Sequence, residues 1–355
     1  MKTLEACYEI NFSKINFIER KIKINHPKTI IYGAFKTGKS YLIYDFLQKF
    51  KTNDYLYIDF ADPRNEIDEI KPFLDSFLRE NKIKVLVLEN FDFSFNIPYC
   101  ENIIISTKIY KKIKGFKNIT IKGLDFEEYL LHDKKFQNST QSFNNFLRYG
   151  NLPEVLGVDD FVKIQRLQEI FFLQTKNEVD LEILKIVFEN IDEKKSLFQL
   201  FNILKSKMKI SKDKFYDSCK KFEEQKTIFF LSKYKHEKAI KKIYSYNHAF
   251  LNAISHNKKF KNVFSNMVFL ELIDKNRDIY YLDNIDFYLE KTNQAIVAIP
   301  FFNTILMNST LKRVYKILLE YNIKELFIIT VSNSEILKHN SFTISVVPFY
   351  EWALS

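Results

Sequence analysis

Glycine is almost missing from this chain, at 6 of 355 residues. Gly/Ser-rich linkers are thereby excluded, and each glycine that remains invites a conformational reason. Long apolar runs are lacking too. None approaches the roughly 18 residues that a bilayer-spanning helix requires. No internal repeat or Pro-rich segment divides the chain. The opening Met1-Lys2-Thr3-Leu4-Glu5-Ala6-Cys7-Tyr8-Glu9 carries acidic residues where a signal peptide would place its apolar centre. The expected protein is therefore soluble and cytoplasmic, with no membrane partner. Cysteine is scarce as well. Cys7, Cys100 and Cys219 lie far apart without C-x-x-C spacing, which offers neither a disulfide framework nor a zinc site.

What is present suffices for real cores. Hydrophobic residues make up 46% of the chain, which excludes a disordered protein and, at this length, predicts two or three domains. Lys and Arg number 54 against 44 Asp and Glu, a formal charge of +10. That excess fits a nucleic-acid partner. It fits equally the Lys-, Asn-, Ile-, Phe- and Tyr-rich product of an A·T-rich genome, so charge alone selects neither.

Two of the six glycines fall inside one motif. Gly33-Ala34-Phe35-Lys36-Thr37-Gly38-Lys39-Ser40 reads G-x-x-x-x-G-K-S, a complete phosphate-binding loop. Gly33 and Gly38 permit backbone angles closed to other residues and a close approach to phosphate. The amide groups of Gly33 to Tyr41 are expected to form an anion nest at the positive end of the next helix. Lys39 is expected to reach the β- and γ-phosphates, and the Ser40 hydroxyl to coordinate Mg²⁺. The flanks agree. Lys28-Thr29-Ile30-Ile31-Tyr32 is a β-rich run before the loop, and Leu42, Ile43, Phe46, Leu47 and Phe50 recur at helical spacing after it.

Further buried-type strands follow at Tyr55–Asp59, Val85–Leu88, Ile103–Ser106 and Ile119–Ile121, alternating with helical stretches such as Ile67–Glu80. This predicts an α/β fold, a doubly wound and mainly parallel sheet of the P-loop NTPase kind. The third strand ends in Glu89, where P-loop enzymes place an acidic residue for Mg²⁺, so Ser40 and Glu89 are the candidate metal residues. The next position, normally glutamate in additional-strand ATPases, is Asn90, which cannot take a proton. Asp92 is the nearby carboxylate that could substitute. Ser106-Thr107 ends the fourth strand, where such ATPases carry a polar sensor. Glu89, Asp92 and Thr107 are thus the candidate catalytic residues, and slow or absent hydrolysis is expected.

Four patches in the right order then resemble a bacterial and archaeal family of AAA+-type ATP-binding proteins with a C-terminal domain of unknown function. Tyr55-Leu56-Tyr57-Ile58-Asp59-Phe60-Ala61-Asp62-Pro63-Arg64 resembles its hydrophobic strand followed by Asp-Asp-Pro-Arg. Leu124-Asp125-Phe126-Glu127-Glu128-Tyr129-Leu130 is similar to its Leu-Ser-Phe-x-Glu-Phe stretch. Tyr149-Gly150-Asn151-Leu152-Pro153-Glu154-Val155 is similar to its Gly-Gly-x-Pro-Glu turn, and Val346–Leu354 to its closing Ile-Pro-Leu-x-x-Leu-Leu segment. The resemblance implies ATP and Mg²⁺ as cofactors and four parts. These are a P-loop core over 1–133, a helical lid over 134–176, a winged-helix domain over 177–252 and a nuclease-like domain over 253–355.

Within the implied lid, Arg148 and Arg166 are candidates for touching phosphate, against the alternative that they are solvated surface. Leu181–Phe188, Ser196–Lys205 and Lys212–Gln225 read as helices, and Ile228–Leu231 with Lys242–Ser245 as a hairpin, which is winged-helix order. Lys212, Lys214, Lys220 and Lys221 on the third helix, with Lys233, Lys235, Lys238, Lys241 and Lys242 on the hairpin, could neutralise a DNA backbone. Winged helices also dock proteins, so either partner stands. In the nuclease-like part Glu271 and Asp286 match acidic positions. Ala298 and Pro300, however, replace the Glu and Lys of the metal site, so nuclease activity is not expected. The whole reads as an ATP-driven conformational switch, or else as a DNA-associated regulator in which nucleotide is structural.

Overall fold

The computed structural model describes every residue except 1, 13, 134–137, 176, 258, 276–277, 304–307 and 340–341. The chain divides into two compact units: Met1–Gly123 with Glu224–Thr227, and Leu124–Glu223 with Ile228–Ser355.

The first unit begins with helix α1 (Lys2–Tyr8), strand β1 (Lys28–Tyr32) and helix α2 (Lys39–Leu47). Strand β2 (Tyr55–Asp59), short helices α3 (Ile67–Ile70) and α4 (Leu74–Glu80), and strands β3 (Val85–Glu89), β4 (Asn102–Thr107) and β5 (Lys117–Thr120) complete it. The five strands form one sheet in the order β2-β3-β4-β1-β5, every pair parallel. The α/β fold and its parallel sheet are therefore as the sequence predicts.

Period-two alternation divides the central strands between two cores. Leu86 and Leu88 face one side with Leu56, Ile58, Ile103 and Ile105; Val85 and Val87 face the other with Leu42, Ile43 and Phe46 of α2. The expected regular alternation with helices holds only up to β3. No helix lies between β3 and β4, nor between β4 and β5. The coil after β3 instead buries Phe91, Phe95 and Cys100 against the first face, supplying the cover a helix would give.

The second unit opens with helices α5 (Phe126–His132), α6 (Ser139–Tyr149), α7 (Pro153–Leu156) and α8 (Lys163–Leu173). The helical reading of 134–176 has its end residues, Lys134 and Lys176, outside the described residues. Next come α9 (Glu178–Phe188), α10 (Leu197–Lys205), α11 (Lys212–Glu224) and an antiparallel pair, β6 (Ile228–Leu231) with β7 (Lys242–Ser245). These elements match the expected helices and hairpin. Ser196 caps α10 through a reciprocal pair with Gln199, the capping box that fixes where this helix starts.

Helices α12 (Phe250–Ile254) and α13 (Phe260–Lys275) lead into strands β8 (Ile279–Leu282), β9 (Ile285–Leu289) and β10 (Gln294–Ala298). After α14 (Asn308–Glu320) come β11 (Glu325–Thr330), β12 (Glu335–His339), β13 (Phe342–Pro348) and α15 (Phe349–Trp352). The six strands make a mixed sheet ordered β12-β13-β11-β10-β9-β8. Three separated segments converge in this unit. Phe349 is fully buried, with ring centroids 5.6 Å from Phe126, 5.6 Å from Phe143 and 6.2 Å from Phe146.

Candidate functional site

The glycine loop leaves the carboxyl end of β1 and enters α2, the strand–loop–helix setting that its motif requires. Gly33 is fixed by crowding. A Cβ there would lie 2.1 Å from the carbonyl oxygen of Ile121, backbone that cannot step aside. Gly38 sits at φ 95° and ψ 26°, a left-handed conformation that costs other residues about 1–2 kcal/mol. It leads into α2 with no side chain capping the helix, so the first amide groups have no side-chain acceptor. Thr37 donates its hydroxyl to the Ala34 carbonyl at 3.0 Å, closing the loop on itself. Arg20, a buried arginine with no sequence signal, donates to the Thr37 carbonyl at 2.8 Å and to the Gly123 carbonyl at 3.1 Å. Phe35 lies beneath the Lys108 ammonium, 5.0 Å from ring centroid to Nζ.

Lys39 folds back into the loop. Its Nζ donates to the Gly33 and Ala34 carbonyls at 3.0 and 2.7 Å. Burial, joined by the nearby Lys108 charge and partly offset by Glu89, pushes its pKa down to about 8. Ser40 donates its hydroxyl to one carboxylate oxygen of Glu89, and Tyr57 donates to the other. Glu89 is 3% exposed, and its pKa is raised, chiefly by burial, against the lowering effect of these two hydroxyls. Tyr57 carries no motif. Only the pairing of β2 with β3 brings it to Glu89, and the single available hint is its place two residues before Asp59, which is in register with Glu89.

Of the other candidates, Thr107 is buried at the end of β4 and accepts from the Ile109 amide at 3.1 Å. Tyr41 is half-buried on α2, with ring neighbours Phe17 and Tyr44. Asp92 is exposed in the coil after β3, where its carboxylate accepts from the Ser94 amide at 3.0 Å. Asn90, by contrast, reaches Asp59 at the end of β2, its Nδ2 donating to Oδ1 at 2.8 Å. Sequence reasoning passed over that carboxylate.

These residues fit a triphosphate with Mg²⁺. The loop presents backbone amides at a helix start, an ammonium already on its inner carbonyls, and a hydroxyl–carboxylate pair of the type that holds Mg²⁺.

Several candidates in the second unit are engaged structurally. Arg166 donates to Glu154 and Glu169, so its guanidinium is already paired. Glu271 accepts from the Phe126 amide at 3.2 Å, serving the start of α5. Lys242 requires correction as a DNA-facing lysine. It is buried and paired with Asp192 at 2.8 Å and Asp286 at 3.1 Å, because burying those carboxylates requires a counter-charge. Lys214 and Lys221 pair with Asp180 at 2.7 and 3.6 Å, and Lys233 pairs with Asp283 at 2.7 Å. Lys220, Lys235, Lys238 and Lys241 are exposed. Asp286 also accepts from the Ala298 amide at 3.0 Å, and among the described residues no acidic or thiol–imidazole cluster could hold a metal ion. No helix among them is long and apolar enough to cross a membrane.

No protein-family model matches the chain. It is similar to an uncharacterized protein of Methanocaldococcus jannaschii, 24% identical over 409 residues that cover 96% of this chain and 90% of that protein. Among solved structures it is similar to a Walker-type ATPase of Pyrococcus abyssi. The TM-score is 0.42 and the identity 14%, over 71% of this chain and 93% of that one.

Proposed function

We propose that Gly33–Tyr41 bind the phosphates of ATP with Mg²⁺ held near Ser40 and Glu89, and that nucleotide occupancy works as a conformational switch. One observation carries the reading: Lys39 lies inside the loop on the carbonyls of Gly33 and Ala34 while Ser40 is bound to Glu89. An incoming triphosphate offers the ammonium a stronger, charged acceptor than two carbonyls. Mg²⁺ likewise offers the Ser40 oxygen and Glu89 a shared partner. Filling the site therefore changes the partners of the loop, of α2 and of the β3 end together, which is the local part of the switch. ATP is taken as the nucleotide on the family resemblance, and the sequence has no guanine-reading Asn-Lys-x-Asp segment. The helix–helix–helix–hairpin order of α9 to β7 supports a winged-helix reading, and β8–β10 after α13 support a nuclease-like reading without nuclease chemistry.

The test is a fluorescent-ATP titration with Mg²⁺ on the protein and on Lys39→Ala. The variant is expected to lose about a hundredfold or more in affinity, as a charge-assisted contact worth about 3 kcal/mol implies. Equal affinity in the two proteins would sink the proposal.

A further inference from the structure

We infer that Asp59 is the carboxylate that activates water for ATP hydrolysis, with Asn90 as the residue that positions it. The inference rests on the nucleotide reading above and concerns the residues facing the bound substrate. Asn90 stands where a water-polarising carboxylate would follow the acidic end of β3, and an amide cannot accept the proton. The loss is made good on the neighbouring strand. Asp59 ends β2 in direct register with Glu89, so a carboxylate stands at the same sheet edge, one strand over.

The geometry around it is specific. Asn90 has φ 55°, a conformation that turns this residue out of the line of β3. Its Nδ2 then donates across to Oδ1 of Asp59 at 2.8 Å. The Ala61 amide donates to the same Oδ1 at 2.9 Å. Both donors converge on one oxygen, which leaves Oδ2 to accept from a water. The Phe60 amide, bonded to the Glu89 carbonyl at 3.0 Å, ties the residue after Asp59 to β3.

The competing carboxylates are occupied otherwise. Both oxygens of Glu89 are taken by Ser40 and Tyr57, and Asp92 closes its own turn on Ser94. In the reaction the water oxygen bonds to the γ-phosphorus as the bond from that phosphorus to the β,γ-bridging oxygen breaks. ADP leaves with the electron pair, and one water proton passes to Asp59 and from there to solvent.

Asp59→Asn tests this cleanly, because asparagine keeps the Oδ1 acceptor for Ala61 and Asn90 and replaces the proton-accepting Oδ2 with an amide nitrogen that cannot accept. The full chain is compared with Asp59→Asn and with the exchanged pair Asp59→Asn/Asn90→Asp, by fluorescent-ATP titration, phosphate release, and assay of the nucleotide retained after gel filtration. For Asp59→Asn we expect affinity within roughly threefold of the parent and phosphate release lower by about a hundredfold or more. Intact ATP should remain bound to it, where the parent retains ADP. The exchanged pair, with a carboxylate restored on the other side of the hydrogen bond, should regain at least about tenfold in turnover over the single variant. Parent-like turnover in Asp59→Asn, or a parent protein that binds ATP and never turns it over, overturns the inference while the binding reading stands. A parent protein that binds no nucleotide overturns both.

Discussion

Tyr57 and Glu89 show how a single contact at the site is built. Glu89 is buried, and each carboxylate oxygen has one hydroxyl donor, Ser40 on α2 and Tyr57 on β2. Removing the tyrosine hydroxyl leaves a buried acceptor short of a partner, at a cost of about 1–3 kcal/mol. Tyr57→Phe is therefore expected to lower the unfolding free energy by that amount, read as a lower urea midpoint with an unchanged slope. An unchanged midpoint would mean that the hydroxyl is dispensable there. Gly33, Gly38, Lys39, Ser40 and Glu89 were legible in the sequence, since the loop needs fixed residue types at fixed spacing. Tyr57, Arg20 and Asp59 were not. Tyr57 and Asp59 reach their partners only through the pairing of β2 with β3, and Arg20, in coil before β1, reaches the loop carbonyl of Thr37 only in the folded chain.

At the scale of elements, the hairpin β6–β7 and the strand β9 share a buried ionic group. Lys242 lies between Asp192 and Asp286, and Tyr244 donates to Asp192 at 2.7 Å. Burial would lower the Lys242 pKa, yet the facing carboxylates of Asp286 and Asp192 win and raise it. Burial likewise works against an ionised Asp286, and the ammonium groups of Lys242 and Lys261 hold its pKa below the usual range. Lys242→Met would leave Asp192 and Asp286 buried without the ammonium that lies between them. The expected loss is about 3–5 kcal/mol of stability, read from chemical denaturation followed by circular dichroism. A neutral result would show that water reaches the group. The sequence placed this lysine on the hairpin correctly and its environment wrongly. Periodicity fixes which residues form a strand, but the cover over that strand comes from elements far along the chain.

At the scale of the whole molecule, the second unit joins segments about a hundred residues apart through polar groups with no access to water. Gly150, at φ 83°, lets the backbone pass Asn247, whose Oδ1 would lie 2.0 Å from an added Cβ. His248 is fully buried beside it and donates from Nε2 to the Phe146 carbonyl at 2.8 Å. Burial depresses its pKa from the ordinary 6.5 to about 4. Folding therefore favours the neutral ring. Its contribution is fully present above about pH 6.5 and is lost as pH falls toward 4, because the unfolded chain takes up a proton that the folded one refuses. That amounts to roughly 3 kcal/mol from this group alone. Denaturation midpoints at pH 7.5 and 4.5 are expected to differ accordingly, and by less in His248→Asn, which does not titrate in this range. The same acid sensitivity in both proteins would remove His248 as its source.

The sequence by itself determined the parallel α/β core and the phosphate loop. Both are written in short-range terms, as alternating apolar residues, helical spacing and two obligatory glycines in a chain that has few. It also determined the order of helices and hairpin in the second unit. Only the tertiary structure decided which charges are available. Lys242 is enclosed, Arg166 is paired, Glu271 serves a helix start and Asp59 meets Asn90, since burial and partnership arise when distant segments pack together and no local pattern records them.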